Sequence, residues 1–465
     1  MANNLWKEID FEKYQYHVTI SSNNSEKTIE ENKIVRIEDL EKRRNAYGIC
    51  GECKNPGTGN KWCQKCNAER FEKNFNKWTS GNKEIDELIK YSQLKAVYHQ
   101  KCLELIPFED FKEVTYKAEG GFGKIYEAKW PKGHICYWDI ENNEWNRRSN
   151  IKVALKSLNN FSERITEFIN EVKSHLEIYL TDVIQCYGIT QKEENYMMVL
   201  QFCENGNMRD YLNKSENYID YESKIEHLYM MARGLSDIHN AGKVHRDIHP
   251  GNILFWSASY ISDLGMCQRE KGEKDNEIFG VLPYMAPEVL RRREYTKAAD
   301  IYSFGIVMHE FISEDIPYCE IPHDKTLALS ICKDGRRPEI SGDIPKLLAD
   351  LIIKCWDDKA ENRPTAIELC QKFKKLDEEI KTHCDSEDED NENSEDDSDK
   401  EDNKGKNNNG NKKKNFKLSK KDSGICFQIK ECEKFRKKEK IKSKNNEAYK
   451  AYFSKSLSEC LSCKI

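Results

Sequence analysis

At 465 residues the chain is long enough for two or three domains. Its 34% charged and 38% hydrophobic residues are polar for a fully folded globule, so part of the chain is expected outside any core. The net charge of −6 points to no partner class, and no apolar run reaches the roughly 18 to 20 residues that span a bilayer. The start, Met1 to Glu8, has no basic stretch leading into an apolar one, and Ala2 excludes a myristoylation pattern. The expected compartment is the cytosol, with access to the nucleus. The 18 cysteines are scattered along a long chain, which reads as reduced thiols with one metal-binding cluster.

Residues 1–45 are polar without a clear period and are expected to be flexible, with a short helix near Ile37 to Arg44. Residues 46–67 hold two Cys-x-x-Cys pairs, Cys50/Cys53 and Cys63/Cys66, separated by nine residues. Each pair can form a knuckle that aims two thiolates at one ion, and four thiolates match tetrahedral zinc. Pro56-Gly57-Thr58-Gly59 supplies a chain reversal between them. Such a closed site has no open position, so it organises its surroundings or binds a partner. The alternative is four unrelated thiols. Residues 68–110 read as a helical linker. Phe71, Phe75 and Trp78 fall at i, i+4 and i+7, and Ile85, Leu88 and Ile89 repeat the stripe after Ser80-Gly81, the pattern of a core face.

Residues 111–376 alternate strand-like and helix-like stretches and carry six separated motifs. Ala118-Glu119-Gly120-Gly121-Phe122-Gly123 lies between two strand-like runs, where glycines let backbone approach a phosphate. Val153-Ala154-Leu155-Lys156 places a lysine on the next strand. Glu171 follows on an amphipathic helix, where it can pair with that lysine. His245-Arg246-Asp247-Ile248-His249-Pro250-Gly251-Asn252 spaces a carboxylate and an amide five residues apart, and Ser262-Asp263-Leu264-Gly265 adds a second carboxylate. Met285-Ala286-Pro287-Glu288 comes after Tyr284, with Asp300 and Arg363 further on.

In this order the motifs resemble a eukaryotic protein kinase domain, close to the tyrosine-kinase-like branch. Its pairing with a four-cysteine segment resembles the expanded kinase families of symbiotic fungi. The resemblance implies an α+β bilobal fold, with a β-rich N-lobe and an α-helical C-lobe, and transfer of the γ-phosphate of ATP to protein hydroxyls in signalling. It implies that Lys156, fixed by Glu171, holds the α- and β-phosphates, that Asp247 accepts the substrate hydroxyl's proton, and that Asn252 and Asp263 bind magnesium. ATP would lie against Ala118, Gly120, Gly121, Phe122, Gly123, Ile125, Ala154, Leu200, Gln201, Cys203 and Leu254, with Leu200 at the back of the adenine pocket and hinge backbone near Gln201 and Cys203 bonded to the base. Glu288–Arg363 and Asp300 are expected as structural supports, and His245 as a packed core histidine.

The chain departs from the pattern at Ala118, at Leu264, at Val281 where a Thr is usual, and at His249, which stands where serine/threonine kinases carry a Lys. His249 can still donate to a phosphate. Serine/threonine acceptors are expected by analogy, tyrosine remaining open. An active enzyme and a nucleotide-binding pseudokinase scaffold are the two readings. From Asp263 to Glu288 the only hydroxyl is Tyr284, and acids Glu270, Glu273, Asp275 and Glu277 occupy the stretch, so constitutive competence or switching by partners is expected. An insertion, His134 to Asn150, reads as an aromatic hairpin that either packs locally or offers a docking surface.

Residues 380–445, the acidic run Asp385–Asp402 and then the Lys- and Asn-rich run Lys404–Lys444, are expected to be disordered, as solvated tail and not a nucleic-acid surface. Residues 446–465 read as a short C-terminal helix or tail. Cys460 and Cys463 form an isolated pair given no role.

Overall fold

The computed structural model describes residues 5–19, 32–120, 123–158, 161–178, 182–214, 219–270, 280–391 and 424–443. The expectation of flexible chain over 1–45 is corrected for its described part. Ile9, Val18 and Val35 are buried together with Ala46, Tyr47 and Val97. Isolated apolar residues in polar surroundings can form a core when distant chain supplies the other half. Here bridges Trp6–Gly48, His17–Gly59 and Thr19–Arg36 bring the two halves together. Gly48 has φ +80°, and a Cβ there would sit 2.5 Å from the Leu5 carbonyl oxygen, so the closure needs glycine. Helix α1 (Leu40–Tyr47) is capped by Asp39, which accepts from Lys42 N–H. Its Arg43 reaches back to donate to the carbonyls of Gly57, Ile37 and Pro56.

The helical linker expected over 68–110 consists of two helices, α2 (Gln64–Glu72) and α3 (Lys83–Lys95), on either side of Ser80-Gly81. The stripe is broken because the chain leaves α2 after Glu72, makes one 3₁₀ turn over Phe75–Lys77, and is extended at Trp78. Asn82 restarts it by accepting from Glu84 and Ile85 N–H. The second half of the stripe is a core face: Ile85, Leu88 and Ile89 are buried.

The N-lobe follows, with β1 (Glu104–Leu105), β2 (Lys112–Gly120), β3 (Gly123–Trp130), β4 (His134–Asp139), β5 (Glu144–Arg148), β6 (Ile151–Leu158), β7 (Cys186–Lys192) and β8 (Asn195–Gln201). Six of these make one sheet in the order β1-β7-β8-β6-β3-β2, and β4–β5 is a separate hairpin. Alternation decides which way β6 faces. Val153 and Leu155 enter one apolar cluster with Trp130 and Val199, whereas Ala154 joins the opposite cluster with Met198 and Leu200. Lys156 is two residues from Ala154 and shares its face. Helix α4 (Phe161–Glu177) lies on that side, its Phe168, Ile169 and Val172 buried in the same cluster as Ile85 and Ile89 of α3.

The C-lobe is helical: α5 (Met208–Lys214), α6 (Tyr221–Asn240), α7 (Pro287–Leu290), α8 (Lys297–Ser313), α9 (Lys325–Lys333), α10 (Lys346–Cys355) and α11 (Ala366–Asn391). Helix α6 buries Tyr221, Ile225, Leu228, Ala232, Leu235 and His239 at three- and four-residue steps, and α8 is buried from Ala299 to Ile312. Short strands β9 (Gly206–Asn207), β10 (Lys243–Val244), β11 (Ile253–Phe255), β12 (Ser259–Ile261) and β13 (Gln268–Arg269) line the side facing the N-lobe. The expected disorder of 380–445 is corrected at both ends. Helix α11 continues to Asn391, and α12 (Ile425–Ser443) packs onto the C-lobe, burying Ile425 and Cys432 in its core. Gln428 Oε1 accepts from Leu347 N–H at 3.0 Å, which ties α12 to α10. Most of the two charged runs, Cys460, Cys463 and the C-terminal segment lie outside the described residues. No described helix is long and apolar enough to cross a membrane.

Candidate functional site

The site is assembled across the two lobes. Lys156 Nζ donates to Glu171 Oε1 at 2.7 Å and to Asp263 Oδ1 at 2.8 Å. Burial opposes the charge on Lys156, but Asp263 and Glu171 outweigh it and hold the ammonium above its usual pKa. Burial would also raise Asp263; Lys156 beside it reverses this and brings the carboxyl down to about 2. Glu171, enclosed more completely, is pushed up by its burial. Asp263 is in the left-handed region at φ 60°, and its carboxylate accepts from Gly265 N–H at 3.3 Å. Leu264 beside it is fully buried in the C-lobe core, so the exchange of Phe for Leu keeps an apolar anchor there.

Asn252 Nδ2 donates to the Asp247 backbone carbonyl at 2.9 Å and to Asp247 Oδ2 at 3.1 Å. The Asn252 carbonyl accepts from both Ser262 N–H and Ser262 Oγ, which joins this loop to the strand leading into Asp263. His245 Nε2 bonds the Ser262 carbonyl at 3.1 Å from a fully buried position, as a packed histidine. Beneath, the Asp300 carboxylate accepts from His245 N–H at 2.7 Å and Arg246 N–H at 2.9 Å. It also bonds His239 Nε2 at 2.9 Å, a partner with no sequence signal. These bonds hold Arg246 at φ 73°. Glu288 and Arg363 form a two-pronged ion pair at 2.6 and 2.9 Å.

His249 Nδ1 accepts from Gly251 N–H at 3.1 Å, so in the neutral ring the proton sits on Nε2. Nε2 lies 3.5 Å from Asp247 Oδ2. Tyr284 is closed off: its hydroxyl donates to Glu310 and accepts from Arg209 at 2.8 Å. Burial, then the Glu310 carboxylate, push its phenol well above the usual range. The one hydroxyl between Asp263 and Glu288 is therefore inside the fold. Glu270 is described there; Glu273, Asp275 and Glu277 lie outside the described residues.

The expected ATP contacts divide. Leu200 and Cys203 are buried in one apolar cluster, with Ala154 and Leu254 packed against it, so four residues from three strands and a loop share a wall. Gln201 N–H is already bonded to the Gln185 carbonyl at 2.9 Å, and the Cys203 carbonyl accepts from Gly206 N–H at 3.1 Å. Ala118 and Ile125 pair across β2–β3, as do Gly120 and Gly123. A Cβ at Gly123 would fall 1.8 Å from the Ser157 carbonyl oxygen, so β6 itself requires glycine there. Gly121 and Phe122 lie outside the described residues.

Away from this cleft, the Cys50, Cys53, Cys63 and Cys66 sulfurs all lie within 4.8 Å of one another. Two of the separations are 3.8 and 3.6 Å, matching the roughly 3.8 Å between ligands of a tetrahedral ion with about 2.3 Å Zn–S bonds. The donor set and spacing fit zinc.

Residues 115–373 match the family described as protein tyrosine and serine/threonine kinase. A lysine–glutamate pair meeting a carboxylate across two lobes is the arrangement of a phosphotransferase cleft. The chain belongs to the protein tyrosine and serine/threonine kinase family. It is 26% identical over 297 residues to serine/threonine-protein kinase VIK of Arabidopsis thaliana, covering 60% of this chain and 64% of that one. It is 30% identical over 286 residues to a putative serine/threonine-protein kinase/receptor, R831, of Acanthamoeba polyphaga mimivirus, covering 60% and 16%. A probable LIM domain-containing serine/threonine-protein kinase of Dictyostelium discoideum is 27% identical over 291 residues, covering 61% and 41%. The chain thus spans less than two thirds of each relative's length.

Proposed function

We propose that this protein is an ATP- and magnesium-dependent kinase that phosphorylates serine or threonine of intracellular signalling proteins. The observation that carries the reading is Lys156 bridging Glu171 of the N-lobe and Asp263 of the C-lobe while Asn252 is bonded to Asp247. Lys156 neutralises the α- and β-phosphates and Glu171 keeps its head in place. Ala154, Leu200, Cys203 and Leu254 enclose the adenine. Asp247 orients the acceptor hydroxyl and takes its proton as the new O–P bond forms and the bond from the γ-phosphorus to the bridging oxygen breaks, ADP leaving with that electron pair. Asn252 and Asp263 offer an amide and a carboxylate oxygen, donors suited to magnesium, which would supply charge neutralisation of the phosphates. His249 presents Nε2–H towards Asp247 and the incoming phosphate, a weaker donor than the usual lysine, so turnover is lowered but retained. The four thiolates hold structural zinc.

The test is labelled-phosphate transfer by the full chain with ATP and magnesium, beside Asp247→Asn and Lys156→Met. Transfer to serine or threonine by the wild type, with a loss of about 100-fold or more in Asp247→Asn, supports the reading. Saturable nucleotide uptake without transfer would instead establish the scaffold reading, which the replacements at Ala118, His249 and Val281 favour.

A further inference from the structure

A cavity of about 480 Å³ opens behind the hinge, away from the phosphoryl-transfer cleft. Four parts of the chain wall it: the cysteine segment at Lys61, the linker at His99, the hairpin at Arg148, and the hinge side at Gln185 and Tyr187. Trp256, in the C-lobe, closes it from below. Its size falls within the roughly 300–1,000 Å³ of small-molecule sites.

The lining is one-sided in charge. Lys61 and Arg148 face the cavity, and no Asp or Glu does. Among the described residues neither cation has a carboxylate partner; each rests on a ring, Lys61 Nζ 4.9 Å from Tyr137 and the Arg148 guanidinium 5.9 Å from Trp256. The adjoining groove of about 470 Å³ shares Arg148 but sets Glu113, Glu127 and Glu204 beside Arg148, Lys129 and Lys152, so of the two only the first cavity has cations without carboxylates. One wall is a stack of parallel rings, His99 on His134 at 5.7 Å and His134 on Tyr187 at 4.7 Å, which suits a planar occupant. Burial holds His99 neutral, with a pKa of about 3, and its Nδ1 is buried without a partner. Buried polar atoms of that kind cost stability unless something bonds them.

We propose that this cavity is a second binding site, for a small aromatic phosphate: Lys61 and Arg148 take the phosphate, and the ring inserts beside His99, His134 and Tyr187. An occupant touching Lys61, Arg148 and Trp256 together ties the cysteine segment and hairpin to the C-lobe. Its binding does not depend on catalytic activity.

Phenyl phosphate is the probe, titrated into the full chain and followed by ligand-observed NMR. Saturable binding is expected near about 1 mM or tighter, the scale set by so small a ligand. Inorganic phosphate and phenol should each bind at least about tenfold more weakly, since each lacks one half of the recognition. The Lys61→Ala/Arg148→Ala double variant should lose about tenfold or more. Asn146→Trp, which fills the mouth from an exposed hairpin position, should block binding while the melting temperature is kept. Lys156→Met should bind as the wild type does. The proposal is overturned by equal binding of phenol, by affinity unchanged in the double variant or in Asn146→Trp, by binding lost in Lys156→Met, or by no saturation.

Discussion

Trp145 joins the cysteine segment to the N-lobe, and its removal tests whether the two are one folded unit. The indole stacks on Trp62 at 5.9 Å and on Phe71 at 5.0 Å, and meets Trp138 edge-on at 5.1 Å. Trp62 is itself fixed, its Nε1 donating to the Ala96 carbonyl at 2.7 Å. Removing a fully buried Trp or Phe costs roughly 3–5 kcal/mol. Trp145 is half-buried, so Trp145→Ala should cost about 2 kcal/mol of docking free energy, a factor of about 30 in the open population. Trp145→Phe keeps one ring on Phe71 and should cost about half as much. Native-state hydrogen exchange is the assay. Amides of β4, β5 and α2 should exchange about 30-fold faster in Trp145→Ala, while those of α6 and α8 keep their rates. Unchanged exchange in the hairpin would refute the docking argument, and equal acceleration in α8 would show that Trp145 supports the whole fold.

The Asp263 carboxyl, brought from 3.8 down to about 2, stabilises the folded state by at most about 2.4 kcal/mol, and solvent reaching the cleft reduces this to about 1–2 kcal/mol. Because the folded pKa is the lower one, that stability is fully present above pH 3.8 and is lost as the pH falls through 2. Urea unfolding at pH 5 and pH 3 should show an acid loss that Asp263→Asn reduces, and identical slopes would contradict the assignment. Atomic absorption should find one zinc per chain, absent in Cys66→Ser, and chelation should lower the melting temperature; a melting curve indifferent to chelator would remove the zinc. Tyr284→Phe deletes the two hydrogen bonds of its hydroxyl, to Glu310 and from Arg209, but leaves Arg209 on Glu310 at 2.7 Å, so it should cost about 1–2 kcal/mol and spare phosphoryl transfer. Phosphotyrosine found at Tyr284 in native protein would count against its enclosure.

The sequence exposed the cleft because its chemistry restricts residue types. A lysine, a glutamate and two carboxylates at set spacings can be read before any contact is known. Period-2 alternation in β6 and the buried face of α4 then supply their sides of the sheet. The partners that hold these residues were hidden for a different reason. His239 and Arg209 sit on helices whose periodicity marks only inside and outside, and their polar contacts come from residues 61 and 101 positions away. The N-terminal segment reads as flexible because Ile9, Val18 and Val35 stand singly among polar residues, and local pattern cannot register a core completed at Tyr47 and Val97. Helix α12 is hidden in the sequence for the same reason. Its lysines and glutamates dominate the composition, and the burial of Ile425 and Cys432 against the C-lobe is a long-range fact.

The segments that composition set aside bear directly on the cleft. Glu171 keeps its place only if α4 does, and α4 is packed from outside as well as from the sheet. Ile85 and Ile89 of α3 share its apolar cluster with Phe168 and Val172. At its C-terminal end Lys101 Nζ donates to the carbonyls of Leu176 and Ile178, satisfying acceptors that the end of a helix leaves open, while burial brings the Lys101 pKa down to about 7. Asp86, just inside α3, accepts from both Ser80 and Thr79, so the loop entering α3 is fixed and so is the angle at which α3 meets α4. A helix packed on two faces and bonded at its end has one favoured position, and a lysine–glutamate pair at 2.7 Å tolerates little displacement. The linker between the cysteine segment and the sheet is therefore part of what sets the geometry of Lys156.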